Sequence, residues 1–383
     1  MEKPKVTVIV VNYNSEAKWR IIEESLRSIF SLSYRPLEVI IVDNDSTDNS
    51  FELIKQFINK VKHSEDFNVK VIRLSKNYGF AIANIIGYRF RDPSSKYVAL
   101  INNDFAPEPD SLDKFTRILE ISEKIAGVQG IILTWDRSHI LTYGGFITDS
   151  GELGGGIGAF TRFTSDTLAS LKPIMVTYLD GAYSIYRVSA IEKAGGLFMP
   201  YFFMWGDDYE LSIRLWRTGF ILLAVPIVAG RHYAGAVTQL NKSGSIYEPS
   251  RTSYIYEYWS WVSNVAVTTV LYGYPYMLQL LRRLPITFAP AILRNSKAII
   301  GGFFDGIKLG ITLRARVLKE KPWLKVPKEP RFKTHLLFEL IFLAYLFLKY
   351  KTRASRIYYI LIARALLKHL IKNARIITRI MYR

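Results

Sequence analysis

Short β-branched runs in the first hundred residues end directly in clusters of Asn and Asp. "VTVIVV" (6–11) runs into Asn12, Tyr13 and Asn14, "EVIIVD" (38–43) into Asp43, Asn44 and Asp45, and "YVALIN" (97–102) into Asn102, Asn103 and Asp104. A further run, "VKVIRL" (69–74), lies between the last two. Helical patterns separate the runs. Trp19, Ile22, Leu26 and Ile29 step by three and four, helices are expected over about 47–61 and 80–90, and Pro109 and Asp110 open another to about 124. Apolar strands alternating with helices predict an α/β fold, a mostly parallel sheet covered by helices. Such sheets bind ligands at the carboxyl ends of their strands, where these polar clusters stand. No Gly-x-Gly-x-x-Gly follows the first strand and no Gly-Lys-Ser/Thr loop occurs, which excludes phosphate binding in the Rossmann or P-loop manner.

Further along, "GELGGGIG" (151–158) reads as a glycine-rich loop among short strands. "TYLDGAYSIYR" (177–187) reads as a strand leading to a helix capped by Ser189 and stopped at Gly195 and Gly196. The stretch "YFFMWGDDYELSIRLWRTGF" (201–220) sets Asp207, Asp208 and Glu210 beside five bulky apolar residues. Two acids after a glycine suit the positive end of a helix. Carboxylates against apolar surface also suit a reactive site, because desolvation changes their proton affinity. Arg214, four residues after Glu210, is its expected ion-pair partner.

Taken in order, these segments resemble the family 2 inverting glycosyltransferases of the GT-A fold over about residues 5–240. The resemblance implies a nucleotide-diphospho-sugar donor, bound by Asn12, Tyr13, Asn14, Asp43, Asn77, Gly79 and Asn103. Asp43 would accept the N3–H of uracil or thymine, although guanine N1–H also suits it, and Ser46 or Asp48 would then cap the following helix. "LINNDF" stands where the family carries its Asp-x-Asp motif, so Asp104, with Asn102 in place of the first acid, and His232 in "RHYAG" would hold Mn2+ or Mg2+. Asp208 would be the general base and Asp207 its companion. Gly181 and Ala182, with Tyr201 and Trp205, would line the side of the acceptor, a saccharide or lipid-linked glycan; Phe202 is a further stacking candidate, and Phe203 and Met204 read as core. A polyprenyl-phosphate sugar synthase and a non-catalytic nucleotide-sugar-binding membrane scaffold are the alternatives.

Charge divides the chain in two. Lys and Arg number 26 against 27 Asp and Glu over residues 1–240, but 25 against 6 over 241–383. We therefore expect a GT-A catalytic domain over 1–240 and a helical, basic, amphipathic, membrane-associated region over 241–383. Residues 258–281 carry no charge but include Asn264, Gly273 and Pro275, which favours an in-plane or core-packed hairpin over a span. Arg364, Lys368, Lys372, Arg375, Arg379 and Arg383 form one stripe of a helix with an apolar opposite face. That pattern assigns residues 331–383 to an anionic membrane surface rather than to nucleic acid. The opening run is too short and too soon polar for a signal peptide, and the absence of cysteine excludes disulfides. Together these features suggest a peripheral or monotopic position on the cytoplasmic face of the cell membrane.

Overall fold

A computed structural model describes residues 3–60, 66–148, 153–159, 161–234, 254–274, 276–277 and 297–332. The front of the chain alternates as expected: β1 (Val6–Asn12), α1 (Trp19–Phe30), β2 (Leu37–Asp43), α2 (Ser50–Ile58), β3 (Phe67–Arg73), α3 (Phe80–Arg89), β4 (Tyr97–Ile101), β5 (Phe105–Pro107) and α4 (Ser111–Glu120). Next come β6 (Ile125–Thr134), β7 (Ile140–Thr142), β8 (Gly145–Thr148), β9 (Leu153–Gly156), α5 (Ser165–Ser170), β10 (Ile174–Met175), β11 (Tyr183–Arg187), α6 (Val188–Lys193), α7 (Asp207–Arg217) and β12 (Ile221–His232). Two long helices, α8 (Tyr254–Tyr272) and α9 (Lys297–Glu320), precede a short β13 (Arg331–Phe332).

The main sheet runs β10-β12-β6-β11-β4-β1-β2-β3, with β5 and β7 paired off its path. Strands β1 to β4 are mutually parallel, as are β6 and β12, while β11 runs antiparallel between β4 and β6. The sheet is therefore parallel in its first half and mixed beyond. Its directions bring the ends of β1, β2, β4, β6 and β12 and the start of β11 to one edge. Both faces are covered: β2 is buried at every position, and α1 turns Ile22, Leu26 and Ile29 inward.

Three local expectations shift. The second helix starts at Ser50 because Asp48 Oδ1 takes both the Ser50 N–H (3.1 Å) and its hydroxyl (2.5 Å). The strand expected from 177 begins only at Tyr183, because Asp180 Oδ1 accepts the Ala182 N–H at 2.8 Å and turns the chain. The helix after it is preceded by Arg187 in extended conformation, not capped by Ser189, which is its second residue.

The uncharged stretch contributes α8, which packs against α9, a charged helix outside that stretch, rather than a hairpin of its own among the described residues; none of the described helices is long and apolar enough to cross a membrane. Gly302, Gly306 and Gly310 line the contact: a Cβ there would lie 2.6 Å from Tyr258 O, 2.8 Å from Val262 O and 2.5 Å from Thr269 Cβ. The two helices share an apolar core with α7, in which Met199, Phe202, Tyr209 and Ile213 meet Val267, Leu271, Leu313 and Leu324. The basic stripe at 364–383 and the rest of the assigned membrane segment beyond Phe332 lie outside the described residues.

A buried ion pair closes this junction. Arg217 donates from Nη2 to Glu329 Oε1 (3.1 Å), from Nε to Glu329 Oε2 (3.2 Å), and from Nη1 to the carbonyls of Leu271 (3.0 Å) and Leu324. Both side chains are almost wholly buried. Removing one partner leaves the other charge uncompensated, so Glu329→Ala should cost about 3–5 kcal/mol. Arg217→Met combined with Glu329→Leu should lose much less, a difference readable in urea melts of the full chain.

Candidate active site

The three strand ends are tied by buried amides and carboxylates. Asn12 Nδ2 donates to Asp43 Oδ2 (3.0 Å) and reaches the hydroxyls of Ser46 (3.3 Å) and Ser50 (3.2 Å). Its Oδ1 accepts from Asn103 Nδ2 (2.9 Å) and the Ser15 hydroxyl (2.6 Å). Asp43 also accepts from Ser46 N–H (3.0 Å) and its hydroxyl (2.6 Å). Asn12 and Asp43 are 0% exposed and Asn103 6%. These three residues hold β1, β2 and β4 in register beneath the edge, because buried polar groups must find partners. Asn14 extends the tie, accepting Thr47 N–H at 2.7 Å, while Tyr13 beside it is half-buried.

The next loop is held in the same way. Asn77 Oδ1 accepts from Gly79 N–H (2.9 Å) and Asn44 Nδ2 (2.8 Å). Gly79 has φ +84°, and a Cβ there would lie 2.2 Å from Phe203 O. That carbonyl accepts the Phe80 N–H at 2.7 Å. The loop after β3 and the aromatic loop therefore touch at a residue that must be glycine. Phe202 is 2% exposed and belongs to the core, so it is not available for stacking as expected, whereas Trp205 is 36% exposed and Tyr201 lies half-buried under Arg316.

Antiparallel pairing of β12 with β5 sets His232 opposite Phe105, directly after Asp104. His232 Nε2 lies 3.0 Å from Asp104 Oδ1 and 3.5 Å from Asn102 Nδ2. Burial alone would lower the His232 pKa, but the charge and hydrogen bond of Asp104, with a contribution from Asp180, raise it above 6.5. Among the described residues no group of three or more His, Cys, Asp and Glu is gathered for a metal, so the protein offers this pair. Asn102 Oδ1, on the same amide, is a buried oxygen without a hydrogen-bond partner. One carboxylate, one imidazole and an amide oxygen are a donor set that would fit a divalent cation.

The acids of α7 open its first turn. Gly206, at φ +81°, precedes the helix, and Asp208 Oδ1 accepts Tyr209 N–H at 2.8 Å. Across the edge, Gly181 N–H donates to Asp208 Oδ2 at 3.3 Å, and Asn102 N–H donates to Ala182 O at 2.9 Å. A chain of short links thus runs from the Asp104–His232 pair through Asn102, Ala182 and Gly181 to Asp208. Glu210 points away from this edge and pairs with Arg214, as its i+4 spacing indicated; Arg214 also donates to the carbonyls of Ala194, Gly196 and Leu197 at 2.7–2.8 Å.

Burial, and then the charge of Asp208, push Asp207 up to about 8; its Oδ1 is buried without a partner. Burial, and then the charge of Asp180, push the half-buried Asp208 up to about 7. Asp180 escaped the reading of the sequence, which singled out only the Gly181 and Ala182 that follow it.

Residues 7–195 match the Glycosyl transferase family 2 domain, and the chain carries a domain of that family. An uncharacterized glycosyltransferase of Haemophilus influenzae is 32% identical over 125 residues, 33% of this chain and 36% of that protein. The poly-beta-1,6-N-acetyl-D-glucosamine synthase of Staphylococcus aureus is 27% identical over 190 residues, 50% of this chain and 41% of its own length. The chain thus spans less than half the length of either relative. The solved structure of GalNAc-T7 with UDP, GalNAc and Mn2+ aligns with a TM-score of 0.51 at 15% identity, covering 86% of this chain and 59% of that one. It shows the same GT-A fold.

Raised carboxylate pKa values destabilise the native state as pH rises. The folded protein keeps protons on Asp207 and Asp208 where the unfolded chain has released them, so stability should fall from about pH 4 to pH 8. Asp207→Asn should remove part of that slope. It should be more stable than wild type by about 1–3 kcal/mol at pH 8 and by much less at pH 4, as read by thermal unfolding at both values.

Proposed function

We propose that the protein is a metal-dependent inverting glycosyltransferase that moves a sugar from a UDP- or dTDP-sugar to a hydroxyl of a saccharide or lipid-linked glycan. The observation that carries this reading is the short chain of contacts joining the Asp104–His232 pair to Asp208. One end of that chain suits the diphosphate and the other an alcohol. Asp104, His232 and Asn102 would hold Mn2+ or Mg2+, which when bound neutralises charge on the departing diphosphate. The GalNAc-T7 structure, with UDP and Mn2+, supports this composition.

Asp208 takes the proton of the acceptor hydroxyl as its oxygen bonds to the anomeric carbon of the donor. The bond from that carbon to the diphosphate breaks on the opposite face, and the diphosphate leaves with the electron pair. A single displacement inverts the anomeric centre. A pKa of about 7 lets Asp208 be ionised at neutral pH and still accept a proton effectively. Asp207, higher at about 8, stays largely protonated beside it and is a hydrogen-bond donor for the acceptor. Trp205 and Tyr201 offer ring faces for the sugar and exclude water. Tyr13, Asn14, Asn77 and Gly79 are proposed to border the nucleoside directly, with Asn12, Asp43 and Asn103 shaping the loops from below.

The basic composition of residues 241–383, together with a polysaccharide synthase among the relatives, supports work at the cytoplasmic face of a membrane, with 331–383 on its anionic surface. The test is a thermal-shift panel of UDP-, dTDP- and GDP-sugars with Mn2+, joined to transfer assays. A UDP- or dTDP-sugar should raise the melting point of wild type and of Asp208→Asn, and Asp104→Ala should lose that shift. Asp208→Asn should transfer at least about a hundredfold more slowly. Full turnover by Asp208→Asn, or a donor shift indifferent to Asp104, would overturn the reading.

A further inference from the structure

Asp180 precedes Gly181, a member of the contact chain, and has no role in the reaction as described. Its backbone N–H is held by Gln129 Oε1 at 2.6 Å, and its Oδ1 is occupied by the Ala182 N–H at 2.8 Å. The next residue, Gly181, donates its N–H to Asp208 Oδ2, and a Cβ on Gly181 would lie 3.6 Å from Asp208 Cβ. Gln129 comes from β6 and is 0% exposed, and its Nε2 is buried without a hydrogen-bond partner. A fully buried amide that serves Asp180 while its other half goes unsatisfied is costly for packing alone. Gln129 thus fixes the backbone of residue 180, and the Asp180 carboxylate in turn fixes the Ala182 N–H, which sets the turn from which Gly181 N–H reaches Asp208.

We propose that Asp180 is a positioning residue for Asp208: fixed on Gln129 and on its own turn, it supplies the standing negative charge against which the base takes up and releases its proton. The titratable groups around Asp208 are Asp207 and Tyr209 on its own helix, Tyr178 and Asp180 before β11, and Tyr186 on β11. Burial holds the three tyrosines above their ordinary range, so they remain neutral, and Asp207 is largely protonated at pH 7. Asp180 is the neighbour whose charge acts on Asp208, and the same charge reaches His232. A like charge makes the base hold its proton more tightly, which strengthens proton abstraction and moves its ionisation toward neutrality. The proposal rests on Asp208 being the base, but its test does not.

Carboxyl labelling of the full chain with a water-soluble carbodiimide and glycinamide, from pH 5 to 9, reads the protonated fraction of Asp208 by peptide mass spectrometry without any substrate. In Asp180→Asn the labelling midpoint of Asp208 should fall by about one unit, a roughly tenfold change in proton affinity. In Asp180→Glu it should stay near wild type. Should the Asn variant fail to fold, Asp180→Ser, which still accepts from Ala182 N–H, gives the same readout. An unmoved midpoint in the folded neutral variant, or a fall of the same size in Asp180→Glu, would overturn the proposal. A moved midpoint together with full transfer by Asp208→Asn would uphold the coupling while removing the base assignment.

Discussion

Helix α7 is the constraint on which the candidate site depends. Ten of its eleven residues are buried, and Glu210, Arg214 and Arg217 are among them. Buried charges of this kind are tolerated only when paired and hydrogen-bonded. Glu210 with Arg214, and Arg217 with Glu329, meet that condition and fix the helix along its length. Its first turn is thereby presented at the sheet edge at one height and rotation. There Asp208 meets Gly181, and burial raises the proton affinity of both carboxylates above the ordinary range.

This arrangement changes how the back half of the chain is understood. The composition suggested a boundary near residue 240, with a different solvent beyond it. Yet α8, α9 and the segment to Glu329 contribute apolar surface and a counter-charge to the helix that bears the acids. Among the described residues, α8 and α9 support the edge where the acids stand, and β13 adds a strand beside β8. A glycine stripe on α9 makes that support compact.

Much of this was legible in the residues. Continuous apolar runs revealed the parallel strands because both faces of such strands are buried, and an i+4 spacing revealed the Glu210–Arg214 pair. What stayed hidden depended on partners distant in sequence. The reversed direction of β11 is set by pairing with β4 and β6, and Arg217 finds Glu329 across 112 residues. Polar residues at strand ends proved ambiguous for another reason. Asn12, Asp43 and Asn103 have the chemistry of ligands, but here they bind one another below the surface. Asp180 was hidden by its neighbours, since the glycine and alanine after it carried the recognisable pattern.

The contact at Gly79 has an engineering consequence. Phe203 O occupies the space that any side chain at position 79 would need. The aromatic segment 201–205 is consequently not a module that can be exchanged on its own. A loop grafted from another protein would have to reproduce the same backbone approach to residue 79, or displace the start of α3 and the Asn44–Asn77 bond behind it. Under the proposed function, a swap of that loop made to alter acceptor preference would also alter donor affinity, two traits inherited through one atom.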